Sequence, residues 1–264
     1  MPQMIQALWN YRGFIKGSVK RDFQSKYQNS LLGAAWTVLN PLAMIVVYTV
    51  IFANVMHSKL PGVDNTFGYS IYLCAGVLTW GFFSEITLAA QNMFLQNANL
   101  LKKISFPRLC LPVVVVANAT LNFAIVFTLF SVFLLLSGSF PGWSFLALFL
   151  VLAIQILFSV GLGLILGVLN VFFRDVGQFF GIALTFWFWL TPIVYPAAIL
   201  PEAVKRLMHL NPMYSLIQAY QGILVQGEWP DLQTLLYPFI LALVFCAYGF
   251  TLFRKHSGDM IDEL

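Results

Sequence analysis

Between Leu109 and Phe173 this chain carries not one charged residue. A helix that crosses a bilayer needs about 20 mostly apolar residues, so the run is long enough for two crossings. Ser137-Gly138-Ser139-Phe140-Pro141-Gly142 divides it, because glycine and proline in such a cluster stop a helix and turn the chain. The rest of the sequence agrees. Charged residues make up 9% of 264 and hydrophobic residues 60%, whereas a soluble domain carries roughly a quarter charged residues. A water-facing surface cannot be built from so few charges. The 26 phenylalanines suit lipid contact, helix packing or the lining of a conduit.

Further apolar runs extend from Trp36 to Met56, closed by His57, Ser58 and Lys59, and from Tyr69 to about Ala90, interrupted by Glu85. Two more cover Gly177 to Tyr195 and Leu232 to Phe253. The reading is a single all-α integral membrane domain with six transmembrane helices, at about 36–56, 69–90, 109–136, 143–170, 177–195 and 232–253. The net charge of +4 does not point to nucleic acid, because the cations sit at the ends of apolar runs and form no solvated patch. Arg12, Lys16, Lys20, Arg21, Lys26, Lys102, Lys103, Arg108, Arg174, Arg254 and Lys255 fall on the side of the N-terminus. Only Lys59, Lys205 and Arg206 fall opposite. This asymmetry puts both termini in the cytoplasm. The first run begins after about thirty polar and amphipathic residues and lacks an Ala-x-Ala exit, so it reads as an uncleaved signal anchor. Cys74, Cys110 and Cys246 lie inside apolar runs without metal-ligand spacing and read as small buried hydrophobes.

Two segments fit neither a span nor a simple loop. Residues 1–28 form an amphipathic pattern, with Leu8, Tyr11, Ile15, Val19 and Phe23 at three- and four-residue spacing. Arg12, Lys16, Lys20 and Arg21 fan out on the neighbouring arc, and Asp22 falls on the apolar side. Such a helix lies on the membrane surface, either as an anchor on anionic lipid or as a surface for a cytoplasmic partner or a lipid head group. Residues 196–230 are too polar to span and too apolar for a loop. Pro201 starts one short helix, Glu202 to about His209, and Asn211 caps a second, with Pro212 at its first position and a run to Val225. An external interfacial pair is one reading. The other is a re-entrant gate on the side opposite the termini, involving Pro201, Asn211, Pro212 and Tyr214 and shielded by protein or a water cavity.

Catalytic signatures are missing. There is no G-x-x-x-x-G-K-[ST] phosphate loop, no H-E-x-x-H, no G-x-S-x-G and no paired His/Cys cluster. The acidic residues are scattered and only Glu85 lies in a span, which disfavours a proton-relay transporter. Glu85 sits late in its span, so cations of the cytoplasmic rim are its expected partners. Uphill work by this chain therefore needs energy from another chain. Two cytoplasmic turns are candidates to receive it: 96–108, which holds Lys102, Lys103, Phe106, Pro107 and Arg108, and the turn at Arg174-Asp175. Each is also ordinary positive-inside patterning.

Six fragments, in order along nearly the whole chain, carry a resemblance. They are Leu32-Gly33-x-x-Trp36 with Asn40-Pro41-Leu42, Gly76-x-x-x-Trp80-x-Phe82-Phe83, and Asn99-Leu100-x-Lys102-Lys103-Ile104-x-Phe106-Pro107-Arg108. Phe173-Arg174-Asp175-Val176, Trp189-Leu190-Thr191-Pro192-Ile193-x-Tyr195-Pro196 and Leu210-Asn211-Pro212-Met213 complete the set. Together they resemble the membrane subunits of ABC-2 type exporters, in the branch that moves O-antigen, capsule or teichoic-acid polymers. The resemblance implies a homodimer in the bacterial inner membrane with two copies of a separate ATP-binding-cassette ATPase. ATP and magnesium would then be bound by that partner, with no cofactor in this chain. It implies an interface helix at 1–28, a coupling helix at 96–108 and re-entrant gate helices at 196–230, with coupling falling on Lys102, Lys103, Phe106, Pro107, Arg108, Arg174 and Asp175.

The expected cargo is a polyprenyl-pyrophosphate-linked polysaccharide. Sugar rings present apolar CH faces that stack on aromatic rings, and Trp80, Phe82, Phe83, Phe186, Trp187, Phe188, Trp189 and Tyr195 are the candidate lining. Aromatic residues in spans more often pack or face lipid, so at most half of these eight are expected to face a channel. Arg12, Lys16, Lys20 and Arg21 are the cations available to a pyrophosphate head group. O-antigen is favoured over teichoic acid, whose phosphates call for channel cations that the spans lack; capsule export is the near alternative. An ABC-2 subunit for a drug or small lipid, and a membrane enzyme acting on polyprenyl lipid, are the competing readings.

Overall fold

The computed structural model describes residues 9–26, 35–51, 67–103, 108 and 110–263. Leu8, Leu32, Gly33, Met56, Phe106 and Pro107 lie outside these residues. The described residues form helices and turns, with no strand among them. A surface helix α1 (Arg12–Lys26) precedes α2 (Trp36–Thr49), α3 (Gly68–Gln96) and a short α4 (Ala98–Lys103). Then come α5 (Cys110–Leu136), α6 (Ala147–Phe172) entered through a tight turn at Gly142–Leu146, and α7 (Asp175–Leu190). The short α8 (Glu202–Met208) and α9 (Pro212–Gln221) lead to α10 (Leu232–His256) and a terminal α11 (Asp259–Glu263).

Four of these are long and apolar enough to cross a membrane: α3, α5, α6 with its entry turn, and α10. The divide between α5 and α6 falls where the sequence breaks, and Gly138 and Gly142 there adopt positive φ (68° and 69°) that other residues rarely take. Helix α2 and helix α7 are shorter, at 14 and 16 residues. At 1.5 Å per residue they are about 21 and 24 Å long, below the ~30 Å of a hydrocarbon core. Helix α7 stops at Leu190 and not at Tyr195: Thr191 is extended, as a residue before proline prefers, and Pro192 has no N–H to continue the ladder.

Helix α6 is the centre of the molecule, with α3 and α10 packed along it. Glycine permits the approach. A Cβ on Gly161 would stand 2.6 Å from the backbone N of Cys246, and one on Gly167 would stand 2.7 Å from the carbonyl of Ala90. Gly249 in turn meets the carbonyl of Gly161. Small residues of this kind let backbones touch where lipid supplies no hydrophobic drive. Gln155 Nε2 donates to the carbonyl of Thr79 at 2.7 Å, which ties α6 to α3 in the buried interior. Helix α5 runs the opposite way along α3, with Phe123 stacked on Phe82 at 4.5 Å and Phe133 against Phe67 at 6.0 Å.

These contacts define two ends. At one, Phe94 stacks on Phe253, Phe172 meets His256, and the Arg108 guanidinium donates to the carbonyl of Ser257. Lys102, Arg174, Arg254 and Lys255 are exposed beside it, making this the basic end. Helix α7 starts there at Asp175 and reaches the other end, where Tyr69 donates to the carbonyl of Val194 and Tyr72 to those of Pro192 and Tyr195. The last residues of α2 lie at that same opposite end, since Ser70 Oγ donates to the carbonyl of Tyr48.

Candidate functional site

The basic end is built from helix termini. Asp175 occupies the first turn of α7, where a carboxylate complements the partial positive charge of the helix start. Arg174 and Asp175 are both exposed and, among the described residues, neither makes an ion pair. Lys102 is likewise exposed on α4. Arg108 differs: its hydrogen bond to Ser257 fastens the α4–α5 connection to the chain after α10. Phe106 and Pro107 fall outside the described residues, and Lys103 is described only as the last residue of α4.

Helix α1 lies against α5 at this end. Tyr11, Phe14, Ile15, Ser18, Val19 and Phe23 face inward, while Arg12, Lys16, Lys20 and Arg21 are exposed. Asp22, which breaks the apolar pattern, accepts a hydrogen bond from Asn118 Nδ2 at 2.7 Å. One turn further along α5, Asn122 Nδ2 donates to Glu85 Oε1 at 2.5 Å. The hydrogen-bond partner of Glu85 is thus an amide of the next span, not a rim cation. Arg21, Asp22, Glu85 and Asn118 share the wall of a cavity of about 430 Å³ between α1, α3 and α5. The two asparagines are spaced i, i+4 and so lie on one face of α5. That spacing was available in the sequence.

The eight candidate aromatics divide by burial. Phe82 and Phe83 are 2% and 0% exposed, stacked on Phe123 and Phe158, and Trp80 packs edge-on against Trp187 and Phe188. These three belong to the core of the chain, because the face of α3 that carries them is covered by α5, α6 and α7. Trp187, Phe188 and Tyr195 are half-buried. Phe186 and Trp189 stand open, 65% and 61% exposed. With Phe179 and Ile182, also exposed, they form a stripe at three- and four-residue spacing along α7. Phe179 and Ile182 belong to that stripe by helical period alone.

The 196–230 segment joins α7 through Asn211. Its side chain caps α9 by accepting from Met213 N at 3.1 Å, accepts from Trp187 Nε1 at 2.8 Å and donates to Thr191 Oγ1 at 2.9 Å. Pro212 follows at the first helical position, where its missing N–H costs nothing. Helix α9 is buried on nearly every side, with Met213, Leu216, Ile217 and Tyr220 fully enclosed among α3, α6 and α10. Tyr214 is buried edge-on to His209. Helix α8 is different in kind: Pro201 and Glu202 are exposed, and Lys205 pairs with Glu202 at 2.7 Å on its surface. The two short helices are therefore unequal, one core and one peripheral.

Among the described residues no group of three His, Cys, Asp or Glu side chains is arranged to hold a metal ion. Residues 14–225 match the profile of the ABC-2 type transporter family. An O-antigen export system permease protein RfbA of Myxococcus xanthus is 30% identical over 266 residues, covering all of both chains. One from Klebsiella pneumoniae is 30% identical over 241 residues, 89% of this chain and 88% of that one. A polysialic acid transport protein KpsM of Escherichia coli is 23% identical over 246 residues, 91% of this chain and 92% of its own.

Proposed function

The chain belongs to the ABC-2 type transporter family, and from that premise we propose that it is the membrane subunit of an ATP-driven exporter of lipid-linked O-antigen polysaccharide. The observation that carries the cargo is 30% identity, over the whole chain in one case and 89% of it in the other, to permeases named for O-antigen export. The lower 23% identity to a polysialic acid transport protein supports capsule export as the second reading. In the proposed assembly two copies of this chain form the conduit, and two copies of a separate ATPase dock on the basic end. ATP and magnesium belong to that partner.

Helix α7 runs between the same two ends as the four long helices, and the last residues of α2 lie at the end opposite the cations, which supports six crossings with both termini in the cytoplasm of a bacterial inner-membrane protein. Helix α7 completes its crossing with the chain from Thr191 to Tyr195. The open stripe of Phe179, Ile182, Phe186 and Trp189 supplies a smooth wall along which sugar CH faces slide, since no cation or carboxylate interrupts it. Helix α9 is the inner leg of a re-entrant hairpin whose tip, at Asn211, is pinned to Trp187. Arg108 and the exposed Lys102, Arg174 and Asp175 form the coupling face, with Lys103, Phe106 and Pro107 between them in sequence. Arg12, Lys16, Lys20 and Arg21 meet the pyrophosphate head group at the inner membrane surface.

Deletion of the gene in its host tests this reading. Lipid-linked polymer should accumulate on the cytoplasmic face while surface O-antigen is lost, and a plasmid copy should restore both. Surface polymer at the parental level after deletion would overturn it.

A further inference from the structure

A cavity of about 480 Å³ opens at the end opposite the cations, between α9, the turn at 222–226 and the first turn of α10. Its size falls within the roughly 300–1,000 Å³ of small-ligand pockets. The floor is fixed. Gln221 Nε2 donates to the carbonyls of Tyr72 and Ile193 at 3.5 and 3.4 Å, and the Tyr72 hydroxyl is committed to Pro192 and Tyr195. One wall is apolar, from Pro196, Ala197 and Ala198. The rim is polar: Gln218, Gln226, Glu228, Asp231 and Thr234, with the Trp229 indole 66% exposed among them. The Gln226 and Glu228 side chains make no hydrogen bond to other described residues.

The chemistry of this lining selects a ligand class. No Lys or Arg takes part, so a phosphate, sulfate or uronate would meet only the like charge of Glu228 and Asp231. Amide and carboxylate groups together offer both donors and acceptors, which suits vicinal hydroxyls. The open indole and the apolar wall suit the CH faces of a ring, since an aromatic side chain supplies contact area at little entropic cost. We propose that this cavity binds one or two neutral sugar residues. Resting on the export reading above, it is a holding station at the outer mouth, where the emerging polymer is retained between strokes and does not slip back.

The full-length protein in nanodiscs is titrated calorimetrically with the host's own polymer, freed from lipid by mild acid and trimmed to short oligosaccharides. Binding in the millimolar to micromolar range is expected, weakened about ten-fold by Trp229→Ala and by Gln226→Ala, the size of loss usual for a central contact. Both residues are exposed, so the variants keep the fold, and unchanged melting temperatures check this. Leu243→Ala, exposed along α10 and no part of the cavity lining, should leave the affinity unchanged, and an acidic sialic-acid trimer should bind at least ten-fold more weakly. No binding by the parent protein, equal binding by both cavity variants, or equal binding of the acidic trimer overturns the proposal. These failures are separable from failure of the export reading, because the gene deletion reports on export without reference to this cavity.

Discussion

Glu85 shows how a single side chain is accommodated in a span. A lone carboxylate at such depth costs several kcal/mol on insertion scales, and here it takes a hydrogen bond from Asn122 and borders a cavity that Arg21, Asp22 and Asn118 also line. A hydrogen bond to a charged group contributes about 1.5–3 kcal/mol. Glu85→Gln should therefore melt within a few degrees of the parent protein, since the amide keeps the contact. Asn122→Leu should melt clearly lower, because it strips the carboxylate of its donor. Equal melting temperatures for the parent and Asn122→Leu would show that the cavity alone solvates Glu85. The sequence disclosed that Glu85 needed a partner, but a search for charge looked toward the rim cations. The answer lay in two asparagines one turn apart, which only the packing of α5 against α3 and α1 brings to Glu85 and Asp22. The aromatics teach the same limit. Composition flags Phe82, Phe83, Phe186 and Trp189 alike, and only the covering helices separate core from open face.

At the scale of elements, the α6 glycines are the most demanding positions. Gly161→Leu would push a side chain into the backbone of α10, and Gly167→Val into the carbonyl of Ala90. Overpacking typically costs 1–3 kcal/mol, and more where the obstacle is backbone that cannot move aside. Both variants should give little monodisperse protein in detergent, while Gly181→Ala, which meets nothing within 4 Å, should purify as the parent does. Comparable yields for all three would contradict the packing described. The turns at the basic end make a second element-level prediction. Asp175→Arg should reduce co-purification of the ATPase several-fold without lowering stability, since the side chain is exposed. Arg108→Glu should also lower stability, because it breaks the tie to Ser257. If Asp175→Arg retains the ATPase fully, the turn is not a docking contact. Local chemistry was readable in part: Asn211-Pro212 announced the start of α9, whereas the span that α7 forms was expected to run through Pro192 to Tyr195 and stops at Leu190. What could not be read was that α9 is enclosed and α8 is not, because Met213, Leu216 and Leu207 are equally apolar on paper.

At the scale of the whole molecule, the distribution of charge and the direction of the helices agree. The described cations cluster at one end of the long helices, apart from Lys205 and Arg206 in α8, as the asymmetry of Lys and Arg along the sequence foretold. The interior is apolar, held by glycine contacts and a few amide hydrogen bonds, and the chain has no phosphate loop with which to use ATP. On the proposed reading its share of the work is a path, and the energy arrives through the basic end. The most direct measurement rebuilds that division of labour in vesicles containing this chain, the ATPase of the same host and short lipid-linked polymer on the outer leaflet. The account predicts that ATP moves polymer into the lumen, beyond reach of an external glycosidase, only when both proteins are present. This chain alone should hydrolyse no ATP. Polymer that stays fully sensitive to the glycosidase in vesicles where both proteins are present and ATP is consumed would contradict it.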